Sequence, residues 1–183
     1  MTYSAAKRAA LSVVEVAALI TIMINPANAL DAAKDRRGLF WGMGFGGGGA
    51  LTVPEAAMGG YFLFDLQLGA GVTRNLTLSL DTDVVVALFD ARKNALITPG
   101  PEINYVFGDT GLFVRGGLGV AMCIVRVGDG RDFTIGFDAG TGFGWEFFAN
   151  SNLALALAGE VDYIVRRGQD IVMFGFMFNL KYY

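Results

Sequence analysis

Residues Phe133–Phe147 constrain the fold more than any other stretch. Read in steps of two, Phe133, Ile135, Phe137, Ala139, Phe143, Trp145 and Phe147 share one face, interrupted only by Thr141. Thr134, Gly136, Asp138, Gly140, Gly142, Gly144 and Glu146 share the other. A period of two is that of a β-strand, with successive side chains on opposite faces. One face is large and apolar; the other is minute or charged. A water-soluble sheet would bury the large face. A membrane barrel turns it outward to lipid and leaves the small polar face around the lumen.

Composition favours the second arrangement. Of the 183 residues, 54% are hydrophobic and 17% charged, and the mean hydropathy is +0.48. That is too apolar for an ordinary soluble domain. Yet after the first thirty residues there is no unbroken apolar run of the ~18 residues a membrane helix needs. The formal net charge of −3 suggests no nucleic-acid partner. The single cysteine, Cys123, excludes an internal disulfide and a multi-cysteine metal site. Without histidine, the chain lacks the commonest general base and the commonest transition-metal ligand.

Residues 1–29 have the form of an export signal helix. Lys7 and Arg8 supply positive charge, Val16–Ile24 is apolar, and Ala27-Asn28-Ala29 is a small-residue cleavage pattern. Glu15 interrupts the start of the apolar run, so an amphipathic helix that stays attached is the alternative. Cleavage after Ala29 would start the mature chain at Leu30, with 30–37 as a short polar lead. No cysteine stands there for lipid attachment.

Eight alternating stretches follow: Gly38–Gly48, Gly60–Thr73, Thr77–Leu88, Leu96–Phe107, Leu112–Ile124, Phe133–Phe147, Leu153–Ile164 and Ile171–Tyr182. Each is long enough for the ~9–11 residues of a tilted membrane strand. Pro99 and Pro101 fall on the outward set of the fourth and make it irregular, because each removes a ladder donor. Thr73–Asn75, Gly108–Gly111 and Ala149–Asn152 carry tight-turn chemistry. They alternate with longer or more charged connections at Gly47–Gly59, Asp90–Asn94, Arg126–Arg131 and Arg166–Asp170. The reading is an all-β, eight-stranded, antiparallel up-and-down transmembrane barrel over 38–183, with both ends of the barrel at the periplasmic rim. Gly46–Gly49 is read as a flexible strand end, since no Lys-Ser/Thr follows to make a phosphate loop.

The chain resembles the small eight-stranded outer-membrane barrels of the OmpA and OmpX type. The resemblance rests on the glycine-alternating stretch Gly38–Gly46, the segment Gly111–Gly119 and the aromatic last strand. It implies insertion in the outer membrane of a Gram-negative cell, with membrane lipid, lipopolysaccharide and the barrel-assembly machinery as partners. It also implies an assembly signal at Phe178, Leu180 and Tyr182, with Tyr183 one residue out of phase. No cofactor or metal is expected, and the expected state is a monomer.

The outward rings would be Trp41, Phe45, Phe62, Phe64, Phe137, Phe143, Trp145, Phe174, Phe176 and Phe178. The lumen set would be Asp65, Asp81, Asp83, Glu102, Asn104, Arg115, Asp138, Glu160 and Asp162. A two-residue turn at Asp109-Thr110 sets Asn104 opposite Arg115 and Glu102 on the diagonal. That predicts an interior Arg115–Glu102 pair, with Glu160 as a further member. Acids outnumber bases on the inward set, which suggests a narrow cation-preferring path as an alternative to a structural or interaction role. Asp81 and Asp83 form at most a weak acid–base or metal pair, lumen polarity being the simpler reading, and no catalytic residue is assigned. A soluble barrel lined by the rings is the third reading; its interior would be overfilled. Cys123 falls inward near the outer rim as a small filler. Basic residues of the longer connections are candidates for lipopolysaccharide phosphates, although ordinary solvated loop charge explains them as well.

Overall fold

The computed structural model describes residues 35–89, 92–127 and 130–183. The signal segment expected at 1–29 and the lead up to residue 34 lie outside the described residues. Eight strands run β1 Gly38–Val53, β2 Met58–Gly71, β3 Leu76–Phe89, β4 Arg92–Val106, β5 Leu112–Val127, β6 Gly130–Phe148, β7 Leu153–Arg166 and β8 Asp170–Tyr182. Each pairs antiparallel with the next, and β1 pairs with β8 to close the barrel. Closure leaves no strand edge, which is what a sheet without water around it requires.

The alternation puts large apolar residues outside. Leu39, Phe62, Leu68, Leu80, Ile135 and Phe176 are each more than 60% exposed, and the remaining outward positions follow the same rows. That pattern overturns the soluble reading, in which the rings would converge on the axis. Thr141, the polar interruption on β6, donates its hydroxyl to the Arg115 carbonyl at 3.0 Å. The outer wall therefore carries no orphaned hydroxyl there.

The strands are longer than the sequence reading at one rim. β1 continues through Gly47–Val53 and β2 begins at Met58, so the connection expected at Gly47–Gly59 shrinks to residues 54–57. Gly46–Gly49 is accordingly strand interior, paired to β2 and β8, rather than a flexible end. Sterics explain why glycine stands there. A Cβ at Gly48 would lie 2.1 Å from the Phe174 carbonyl oxygen of the neighbouring strand. β4 likewise begins at Arg92, inside the connection expected at Asp90–Asn94.

At the other rim the short turns stand where expected. Thr73 Oγ1 accepts the Asn75 and Leu76 amides at 3.2 and 3.1 Å. Asn150 Oδ1 accepts those of Asn152 and Leu153 at 2.9 and 2.8 Å. These side chains mimic a backbone turn, so each hairpin closes within a few residues. The β4–β5 turn needs positive φ at Gly108 (54°) and Gly111 (75°), which glycine adopts without steric cost.

The prolines leave the expected mark on β4. Its pairing with β3 runs through Leu80↔Pro101 and Thr82↔Pro99 without a break. Its pairing with β5 stops after Ile97↔Met122 and resumes in the same register at Glu102↔Gly117. Neither proline has an N–H to give.

Candidate functional site: a stratified barrel interior

The inward side chains fall into three layers. The layer at the turn rim is ionic and aromatic. Arg36, just before β1, turns under the barrel and is fully buried. Its Nε reaches Glu146 Oε1 at 2.5 Å, and Lys181 Nζ reaches Glu146 Oε2 at 3.3 Å. The guanidinium also lies over the Phe148 ring at 5.3 Å, and Lys181 lies over Phe40 and Phe113 at 5.9 and 5.8 Å. Tyr183 leaves the outer row and closes the layer against Phe40 and Phe148, ring centroids 5.2 and 5.4 Å away. One carboxylate between two cations, walled by ring faces, satisfies charges that could not be buried singly.

The middle layer holds the predicted polar set. Arg115 Nη1 stands 3.5 Å from Glu102 Oε2, and Nη2 contacts Glu160. Asn104 is the cross-strand partner of Arg115, as the turn geometry requires. Gln67 donates to Glu102 at 3.5 Å, and Asn179 donates to Asp65 at 2.6 Å. Asp65 faces Asp83 across β2–β3, and carboxylate oxygens of Asp65, Asp81 and Asp83 lie within 4.8 Å of one another. Asp138 and Asp162 complete the wall on β6 and β7. The chamber they enclose is about 40 Å³, room for one or a few waters. Asp81, Asp83, Asp138 and Asp162 each keep one buried oxygen with no hydrogen-bond donor among the described residues.

The third layer, toward the other rim, is apolar. Tyr61, Leu63, Val85, Ala87, Phe89 and Leu96 pack with Ile164, Ile171, Met173 and Met177, all at most 5% exposed. Cys123 is fully buried in this cluster, the small filler its position suggested. Arg166 sits at the rim of this layer, largely buried, and donates to the Gln169 carbonyl at 2.9 Å and to Gln169 Oε1 at 2.7 Å. It is held by its own connection.

Two groups escaped the sequence reading. Arg36 precedes the first strand, where period two does not assign a direction. Glu146 falls on the inward face by alternation, but nothing in the alternation reveals that Lys181 of the last strand meets it. The apolar layer was missed because both faces of the strands are apolar there, so alternation in polarity disappears.

On the outside, all ten rings assigned to the outer face lie in outward rows. Nine of them are 44% or more exposed, and Phe178 is half-buried against Phe45, centroids 5.4 Å apart. Tyr182 packs outside against Trp41 at 6.2 Å, in phase with Phe178 and Leu180. The fold is that of the small outer-membrane barrels. Among solved structures it resembles Neisserial surface protein A, at 13% identity and a TM-score of 0.60, over 80% of this chain and 99% of that one. It also resembles the N-terminal barrel domain of Pseudomonas aeruginosa OprF, at 18% identity and TM-score 0.52, over 78% and 98%. A third is Ail, the attachment invasion locus protein of Yersinia pestis, at 8% identity and TM-score 0.54, over 80% and 99%. No protein-family model and no curated protein matches the chain.

Proposed function

We propose that this chain is an integral outer-membrane barrel with a structural or interaction role in the Gram-negative envelope, and not a conduit. The observation that carries this reading is the layering of the interior. A chamber of about 40 Å³ lies between an apolar layer and an ion-paired aromatic layer. Eight strands enclose a lumen that side chains can fill, and here they do so at two heights. The outer belt of rings and aliphatic residues supports membrane insertion. A strand of 14 residues, such as β2, rising about 3.3 Å per residue at a tilt of about 40°, spans roughly 35 Å, enough for the ~25 Å apolar band.

The excess of carboxylates supports the cation path, but a path needs continuity, and Leu63, Val85, Ile164 and Ile171 lie across it. Asp81 and Asp83 cluster with Asp65, and the chamber that the two line is too small for a substrate bond and its flanking groups. Lipid and lipopolysaccharide remain the proposed partners of the outer wall and rim, and the assembly machinery that of Phe178, Leu180 and Tyr182. Planar-bilayer recording on purified protein tests the central claim. The expected trace shows no steady conductance; a reproducible cation-selective current from the unaltered chain would defeat it. Detergent-free solubility, or gel mobility identical before and after boiling, would defeat the membrane reading itself.

A further inference from the structure

The three charges of the turn-rim layer are not attached to the barrel in the same way. Glu146 is held in β6 opposite Ala156, and Lys181 in β8 between Gly42 and Ala154. Arg36 belongs to no strand. Pairing of β1 begins at Gly38↔Gly71 on one side and at Trp41↔Tyr182 on the other. Asp35 and Arg37 stand in water, and Arg36 between them is fully buried. The end of the lead therefore enters the barrel by one side chain. Gly38 joins it to β1 with a φ of 117°, a conformation rare for any other residue, and a Cβ there would meet nothing within 4 Å. The joint is open and lies outside the β1–β8 ladder.

The seat that Arg36 fills has the parts of a receptor. Glu146 supplies a buried carboxylate whose Oε1 takes the Arg36 Nε at 2.5 Å, while Lys181 Nζ keeps Oε2 at 3.3 Å. Phe148 supplies a ring face 5.3 Å from the Arg36 Cζ. A planar guanidinium uses both parts at once, donating in its plane and stacking on the ring. A compact ammonium does not combine them in this way. Withdrawal of Arg36 opens Oε1 and the ring face together, and Lys181 stays on the other oxygen.

We propose that the turn-rim layer is a guanidinium-binding site which the chain occupies with its own Arg36. An arginine side chain of another protein takes the same seat when the end of the lead swings out about Gly38. The bound and self-occupied states are mutually exclusive, so Arg36 acts as an internal competitor. The proposal adds a ligand site to the envelope role and rests on the geometry of this rim alone.

The test uses the full chain in zwitterionic-lipid nanodiscs, titrated with ethylguanidinium, with binding followed through the Glu146 backbone amide in 15N–1H spectra. Arg36→Ala vacates the seat. Gly71→Ala keeps Arg36 but evicts the lead, because the added Cβ would lie 1.8 Å from the Arg36 carbonyl oxygen and the lead is the part outside the ladder. Saturable shifts are expected in both variants, at least ~10-fold tighter than in the unaltered chain, where Arg36 competes. Ethylammonium should bind R36A at least ~10-fold more weakly than ethylguanidinium. Bound ethylguanidinium should also return part of the urea midpoint that R36A loses. Should R36A lack the gel mobility of a folded barrel, G71A decides on the same criteria. No saturable shift in the folded variants, equal binding of ethylammonium, or an unaltered chain that excess ethylguanidinium never enters would make Arg36 a fixed structural member. Each would overturn the proposal and leave the membrane reading standing.

Discussion

The two ends of the lumen are filled by different physics. At the turn rim, Glu146 is locked between Arg36 and Lys181, and Phe40, Phe113, Phe148 and Tyr183 form the wall around them. At the opposite rim, Leu63, Val85, Leu96, Ile164 and Ile171 meet without charge. The apolar end tolerates loss of a few methylenes, because each contact is small and replaceable. The ionic end does not degrade gradually, since deleting one member leaves another buried and charged. The barrel thus has one end that yields by increments and one that yields as a unit.

The sharpest way to break the comparison is Glu146→Leu. It strands two buried cations, and a loss of about 3–5 kcal/mol is expected in urea unfolding followed by gel mobility. Replacing Arg36, Glu146 and Lys181 together with Met, Leu and Met should recover most of that loss, because no charge then stays uncompensated. If the triple variant is as weak as the single one, the ionic end is held by packing, and the contrast between the ends collapses.

The apolar end should respond less. Ile171→Ala removes a fully buried side chain from the cluster and should cost about 2–4 kcal/mol. Ile164→Val, a single methylene, should cost about 0.5–1.5 kcal/mol. Both series are read by the same denaturant midpoint. A response to Ile164→Val as large as to Glu146→Leu would mean that the apolar end is also an all-or-none lock.

The same contrast explains what the sequence revealed. Alternation over Phe133–Phe147 gives strand identity, composition gives the direction of the rings, and the eight stretches with their two sets of connections give the barrel. Arg115 could be set beside Asn104 and Glu102 because a two-residue turn at Asp109-Thr110 fixes the register of the hairpin. The apolar end was illegible for a physical reason: where Tyr61 and Phe62, or Val85 and Val86, stand side by side, both faces are apolar and the period vanishes. Strand ends there read as connections, which is why Gly47–Val53 was misplaced. Contacts between distant strands were equally hidden. Glu146 and Arg36 are 110 residues apart, and only barrel closure brings them together.

The smallest expected effect lies one residue away from the largest. Arg36 and Arg37 are adjacent, yet one is buried under the barrel and the other is in water. Arg37 donates to Asp35 through its backbone amide at 3.0 Å and through its guanidinium, and both partners are exposed. The guanidinium, more than the amide, holds the Asp35 carboxyl down at about 2, below its ordinary 3.8. A depressed carboxylate contributes its stabilisation fully above the unfolded value, and the contribution is lost as pH falls from about 4 through about 2. Solvent and salt screen such a pair, so Asp35→Asn should leave the unfolding midpoint unchanged at neutral pH. The contact should instead show in the Asp35 carboxyl 13C shift, titrating near 2 in the native chain and moving up toward the ordinary value in Arg37→Gln, which keeps the amide but loses the guanidinium. A midpoint that moves with Asp35→Asn would place the lead's outer pair among the elements that close the barrel and erase the distinction between these two arginines.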